Sequence, residues 1–165
     1  MSVLVSVGTF VRGFDELVEA ADSAAASLRL TGLAQIGHSA VVPAHLDSVR
    51  FLPEPTLREL LRRARVVVCH GGMGILGEAM RARRPILAVP RRGPTTAGNP
   101  ANDQSGFLDR LAARYPIRVC HEPRELERHL AAMLDEAPEA VDYGLGSDVP
   151  RLIRGFLTAG AAGPQ

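Results

Sequence analysis

The sequence predicts an α/β domain built on a doubly wound parallel sheet. Three observations carry this. Short apolar runs alternate along the chain with segments whose apolar residues recur at helical spacing. Most connections between them are short. The run at 66–69, "VVVC", is apolar at every position, as expected of a strand covered on both faces. Strand–helix alternation of this kind leads to parallel strands joined by right-handed crossovers.

The elements follow in order. Residues 3–7 read as the first strand. A helix is predicted over 14–28, with Phe14, Leu17, Val18, Ala21 and Ala25 on one stripe and Asp15 as its N-cap. Strands are expected at 33–36 and 48–52. The segment 55–64 suits a helix, with Pro55 near its first position and Leu57, Leu60 and Leu61 inward. After the strand at 66–69 come a helix at 74–83, a strand at 86–89, a helix at 104–114, a strand at 117–119 and a helix at 124–134. Residues 91–102, "RRGPTTAGNPAN", lack periodicity and form a long polar loop of the kind that serves as a lid or binding loop. The chain thus divides into a domain over 1–135 and a trailing part over 136–165. The trailing part reads as a linker, a short amphipathic helix at 149–157 and a frayed tail.

Composition narrows the class. With 165 residues, 46% of them hydrophobic, the chain supports one packed core and is not a disordered protein. A formal net charge of +1 offers no basic surplus for nucleic acid or an acidic membrane. All 19 basic residues are Arg, which excludes a Schiff-base or Walker-type lysine. The opening "MSVLVSVGTF" has no charged n-region, so no signal peptide is expected. No apolar run reaches the ~18 residues of a spanning helix. Two cysteines, Cys69 and Cys120, do not make a disulfide framework and fit a reducing, cytoplasmic setting.

In such sheets ligands bind at the carboxyl ends of the strands. That rule selects Gly8-Thr9, Gly37-His38, the segment after Phe51, His70 to Gly74 and the segment after Pro90. The junction "CHGGMGILGE" at 69–78 is the most unusual of these. Glycines between a strand and a helix let backbone N–H groups approach a ligand, and the helix amino end carries partial positive charge. Together they form an anion site suited to phosphate or diphosphate. His70 stands at its mouth, where an imidazole N–H can donate to a phosphate oxygen. Glu78, one turn into the helix, can accept from ribose hydroxyls. The motif is neither G-x-G-x-x-G nor a P-loop. A tight turn with a structurally satisfied His70 is the other reading of the same residues. The doublets Cys69-His70 and Cys120-His121 do not form a zinc site, because strands two positions apart are separated by about 9.5 Å.

The stretch "RFLPEPTLRELLRRARVVVCHGGMGILGEAMRARRPILAVPRR…NDQ" resembles the donor-binding, C-terminal half of the family 28 glycosyltransferases. The opening "VSVGTF…FDELVEAAD" and "AQIG" resemble in particular the short bacterial exopolysaccharide subunits of the PssE type. The small catalytic subunit of the eukaryotic dolichol-linked UDP-GlcNAc transferase is similar too. The resemblance covers about residues 3–134.

It implies the Rossmann-like half of a GT-B enzyme with a UDP-sugar as substrate and no cofactor. Carried over by position, Phe51 and Leu52 match the segment whose backbone reads the base. His70, Gly71, Gly72, Met73 and Gly74 match the diphosphate loop, and Glu78 the ribose-binding glutamate. Asn102, Asp103 and Gln104 match the group at the donor sugar, although Asp103 and Gln104 also read as a helix N-cap pair. Gly8 and Thr9 match the loop facing the interdomain cleft, Thr9 reading equally as a plain turn residue. After Gln104 the chain reads "SGFLDRLA" where many relatives place Asn or Ala, which leaves the donor sugar open.

The implied reaction is inverting transfer to a lipid-linked or polysaccharide acceptor. The residues show no base for the acceptor hydroxyl, and the resemblance implies a membrane-associated partner subunit that supplies it. A nucleotide-binding regulatory or structural module without turnover is the alternative.

Overall fold

In the computed structural model, which describes residues 1–92, 103–136 and 138–146, the alternation read from the sequence is realised as six strands and five helices. In chain order these are β1 (Val3–Ser6), α1 (Asp15–Ser27), β2 (Gly32–Gln35), β3 (Asp47–Val49), α2 (Glu54–Arg63), β4 (Val66–His70), α3 (Met73–Arg81), β5 (Ile86–Val89), α4 (Ser105–Ala112), β6 (Arg118–Val119) and α5 (Leu126–Glu136). A single 3₁₀ turn, Pro123–Glu125, leads into α5. The strands form one sheet in the order β3-β2-β1-β4-β5-β6, and every pairing is parallel.

The alternation of strand side chains explains the two cores. Val3, Val5, Val66, Val68, Leu87 and Val89 face α1 and α5. Leu4, Val67, Cys69, Ile86 and Ala88 face α2, α3 and α4. Val66, Val67, Val68 and Cys69 are wholly buried, which is why the run carries no polar residue until His70. Cys69 and Cys120 fall on opposite faces of the sheet, so the two Cys-His doublets do not converge.

Three elements differ from the sequence reading. The predicted strand at 48–52 is Asp47–Val49, and ladder bonding ends at Arg50, whose carbonyl accepts from the Gly37 N–H at 2.9 Å. Gly37, at φ +53°, turns the neighbouring chain away, leaving Phe51 and Leu52 without a strand to pair with. Asp15 is not the N-cap of α1; Phe14 holds that position. The Asp15 carboxylate instead accepts from the Ala40 N–H at 2.8 Å, and Ser39 Oγ accepts from the Phe14 N–H at 2.9 Å. Finally, the chain after α5 returns to the sheet. The Val141 N–H donates to the Arg83 carbonyl at 2.8 Å, and Tyr143 is buried against the α3 side of the core. The amphipathic segment read at 149–157 lies outside the described residues.

The order of strands reverses between β1 and β4, since β1 leads on to β2 and β4 to β5 on opposite sides. Chain leaving these two neighbours diverges to opposite faces and opens a crevice at their carboxyl ends.

Candidate nucleotide-binding cleft

That crevice is a cleft of about 890 Å³. Its floor is Ser6, Gln35 and His70, one wall is the loop after β1, and the other is the start of α3. Glu54 and Leu57 of α2 close the outer side. A second cavity, of about 590 Å³, lies between β6 and α5, lined by Pro85, Pro116, Val119, Met133 and Glu136.

His70 is the last residue of β4 and is packed between two glycines. A Cβ built on Gly8 would stand 2.3 Å from His70 Cε1, and one on Gly72 2.3 Å from Nε2. Gly8 also has φ +76°, a conformation that favours glycine. His70 Nδ1 lies 3.5 Å from the Ser6 carbonyl, which accepts when that nitrogen is protonated. Burial, followed by the charge of Arg91, lowers the His70 pKa to about 4. The ring is therefore neutral at physiological pH. With the proton on Nδ1, Nε2 is an acceptor beside Gly72, not a donor toward phosphate.

Beyond His70 the chain turns through Gly71 and Gly72 into α3. No side chain among the described residues caps this helix, and its first turn carries no acidic residue. Gly74 has open space where a Cβ would project, and Gly72, Met73 and Gly74 all line the cleft. Among the described residues these amides have no partner, and the helix dipole adds to them at the cleft wall. The Gly71 N–H is directed elsewhere: it donates to Gln104 Oε1 at 2.9 Å. The same oxygen accepts from the Arg91 N–H at 3.1 Å. Gln104 is a clamp behind the loop, joining the ends of β4 and β5 to α4.

Glu78 lines the cleft one turn into α3 and holds two arginines. Arg58 Nε donates to Oε2 at 2.9 Å, and Arg81 NH1 donates to Oε1 at 2.8 Å. The Arg58 hydrogen bond is the largest cause of a lowered Glu78 pKa, so the carboxylate stays ionised. Arg58 also pairs with Glu54, giving an acid–base chain along the outer wall.

The sequence-derived residues thus separate into two groups. Gly8, Thr9, His70, Gly72, Met73, Gly74 and Glu78 line one cleft. Gly71 and Gln104 stand behind it; Gln104 holds the N-cap position of α4, and Asp103, one residue earlier, accepts from the Ser105 N–H at 2.8 Å. Phe51 packs edge-on against His38, with ring centroids 5.1 Å apart, and the Leu52 N–H donates to Gln35 Oε1 at 3.1 Å. Neither lines the cleft. Asn102 lies outside the described residues. Sequence reasoning missed Gln35, which the burial of a polar residue at the end of β2 could have signalled, and Arg91, placed directly after the apolar run of β5 and Pro90. Among the described residues no group of three or more His, Cys, Asp or Glu side chains is placed to hold a metal ion. Cys69 is no nucleophile: burial pushes its thiol up to about 12. No described helix is long and apolar enough to cross a membrane.

This sheet order, with the cleft at its reversal point, defines a doubly wound α/β domain of the Rossmann type. Residues 2–142 match the glycosyltransferase family 28 C-terminal domain, and the chain belongs to that family. Among solved structures it is similar to the spinosyn forosaminyltransferase SpnP, with a TM-score of 0.64 and 20% identity over 94% of this chain and 44% of that one. MurG of Acinetobacter baumannii gives a TM-score of 0.57 and 19% identity, over 81% of this chain and 41% of that one. The glycosyltransferase VinC, solved in complex with dTDP, gives 0.55 and 24%, over 84% and 34%. These likenesses establish the fold as that of a GT-B C-terminal domain. The chain spans less than half the length of each of these proteins. No curated protein matches it.

Proposed function

We propose that this domain is the donor-binding half of an inverting glycosyltransferase that takes a UDP-sugar. One observation supports this above the others. In a family 28 domain, the uncapped amino end of α3 opens into a cleft at the strand-order reversal, with an ionised Glu78 one turn further along. The amides of residues 72–74 would face the diphosphate, and Glu78 the ribose hydroxyls.

In the proposed reaction the acceptor oxygen bonds to the anomeric carbon as the bond from that carbon to the β-phosphate oxygen breaks. UDP leaves with the electron pair, and a base takes the acceptor's proton. The α3 amides stabilise the charge growing on UDP, each well-aimed donor contributing about 2.7–4 kcal/mol.

The base is proposed to come from a partner subunit that also binds a lipid-linked or polysaccharide acceptor, in a cytoplasmic, membrane-peripheral assembly of the PssE type. Two features support a partner. The carboxylates lining the cleft, Glu54 and Glu78, are engaged by arginines. Phe10, Val11 and Met73 expose apolar side chains around its mouth. The same engaged carboxylates favour the second reading, a nucleotide-binding module without turnover.

Calorimetric titration of the full chain with UDP tests the donor assignment, which saturable binding supports and its absence overturns. Co-expression with the neighbouring reading frame, followed by a transfer assay from UDP-glucose and UDP-GlcNAc, separates the two readings.

A further inference from the structure

The loop after β1 forms a wall of the cleft, yet hydrogen bonds of its own do little to fix it. Its tip, Phe10 and Val11, is exposed, and Gly8 enters it at φ +76°. One side chain from the far side of the crevice holds it. Arg91, just past β5 and only 5% exposed, reaches under the loop. Its NH2 donates to the Val7 carbonyl at 3.1 Å, and its NH1 donates to the carbonyls of Arg12, at 3.1 Å, and Gly13. The guanidinium carbon lies 4.8 Å from the centroid of the Phe14 ring and 5.6 Å from that of Phe10. Arg91 therefore grips the loop at both ends and along one aromatic flank.

The chemistry of the grip is unusual. A buried guanidinium is ordinarily paired with a carboxylate. Among the described residues Arg91 meets only carbonyl oxygens and aromatic faces. Carbonyls satisfy its N–H groups but leave its charge uncompensated. That charge is felt at the cleft floor, where it disfavours a proton on His70. The Arg91 backbone is tied by Gln104 to Gly71, so the same residue links the β1 loop to the β4 loop.

We propose that Arg91 is a positioning residue for the diphosphate of the donor: it fixes the β1 loop against His70 and supplies the buried positive charge that an anion in the cleft neutralises. This rests on the nucleotide-binding reading above and adds a charge selectivity to it.

The experiment compares the wild-type chain with Arg91→Met and Arg91→Lys, titrated with UDP, UMP and uridine. Thermal unfolding establishes that each variant is folded, and Arg91→Gln, equally uncharged, serves where Met does not fold. Losing the charge should weaken UDP on the order of tenfold, UMP by less and uridine hardly at all. Lys, which keeps the charge without the fork, should restore part of the UDP-over-uridine preference. An equal loss for all three ligands means a merely structural role and overturns the proposal, as does unchanged UDP binding. Amide exchange without ligand provides a second arm: residues 8–13 should exchange faster in Arg91→Met while β4 does not change. Unchanged exchange at 8–13 overturns the loop-fixing role even if no nucleotide binds. A wild-type chain that binds none of the three ligands overturns the nucleotide reading and the charge role with it, leaving the loop role to the exchange result.

Discussion

The imidazole of His70 occupies the volume that a side chain on Gly72 would need, a Cβ there standing 2.3 Å from Nε2. At φ −79° the Gly72 backbone suits any residue, so the constraint is the ring alone. Gly72→Ala should therefore destabilise the fold by about 1–3 kcal/mol through overpacking. In a His70→Ala background that cost should vanish, a coupling that a double-mutant cycle reads directly in urea unfolding. Gly8→Ala behaves differently. Its φ of +76° adds strain of about 1–2 kcal/mol that removing the ring does not relieve. Additive costs for Gly72→Ala and His70→Ala would mean that the ring does not pack as described.

Burial and the Arg91 charge hold His70 at a pKa of about 4, below the ordinary histidine value of about 6.5. The folded state thus refuses a proton that the unfolded chain accepts between those two values. Stability from this group is fully present above pH 6.5 and is lost as pH falls toward 4. Its loss by pH 4.5 amounts to about 2–3 kcal/mol. His129, lowered first by burial, adds to the fall in the same direction. Glu78 and Asp22, whose pKa values are also lowered, lose their contribution further down, as pH drops below the ordinary carboxylate range. Urea unfolding at pH 7.5 and 4.5 should show a steeper decline for wild type than for His70→Gln. Equal slopes would mean that His70 is not buried neutral.

What the sequence revealed and what it hid divide along contact distance. The strand at "VVVC" and the stripe Leu17, Val18, Ala21 of α1 were legible because periodicity is a local property, and both are buried. That ligands bind at the carboxyl ends of the strands followed from the alternation, whereas the reversal between β1 and β4 emerged only from the sheet order. The role of Gln104 was hidden. Its partner Gly71 lies 33 residues away, and only the packing of α4 on β4 brings them together. Arg91 reaches carbonyls 78 to 84 residues earlier, and carbonyls leave no mark in a sequence. Phe51 and Leu52 were placed in a strand by their apolar character, but strand pairing had already ended with the turn at Gly37.

Gln104 offers a separation of structure from binding. Its Oε1 accepts from two backbone N–H groups, and Gln104→Ala leaves both without a partner, at about 1–3 kcal/mol for each. Tm should fall by roughly 2–4 °C per kcal/mol in a chain of this size. Gln104→Glu keeps an acceptor at the same place, so Tm should stay near the wild-type value. Its negative charge behind the Gly71-Gly72 turn should nevertheless weaken UDP binding, more at low salt than at high. A Gln104→Glu chain that binds UDP as wild type does would place the phosphates away from this turn.

Glu78 carries the last prediction. Its carboxylate is held ionised by Arg58 and Arg81 at the cleft wall, and both of these partners are exposed. Glu78→Ala should leave Tm nearly unchanged while weakening UDP by about 1–3 kcal/mol, the cost of hydrogen bonds lost to ribose hydroxyls. The specific signature is selectivity. Wild type should prefer UDP over its 2′,3′-dideoxy analogue, and Glu78→Ala should bind the two alike. Arg58→Met should weaken the preference without abolishing it, because Arg81 still orients the carboxylate. A Glu78→Ala chain that loses affinity yet keeps the full preference would put the ribose in the grip of another residue. The Glu54–Arg58–Glu78–Arg81 chain would then be a brace between α2 and α3, with no hand in nucleotide recognition.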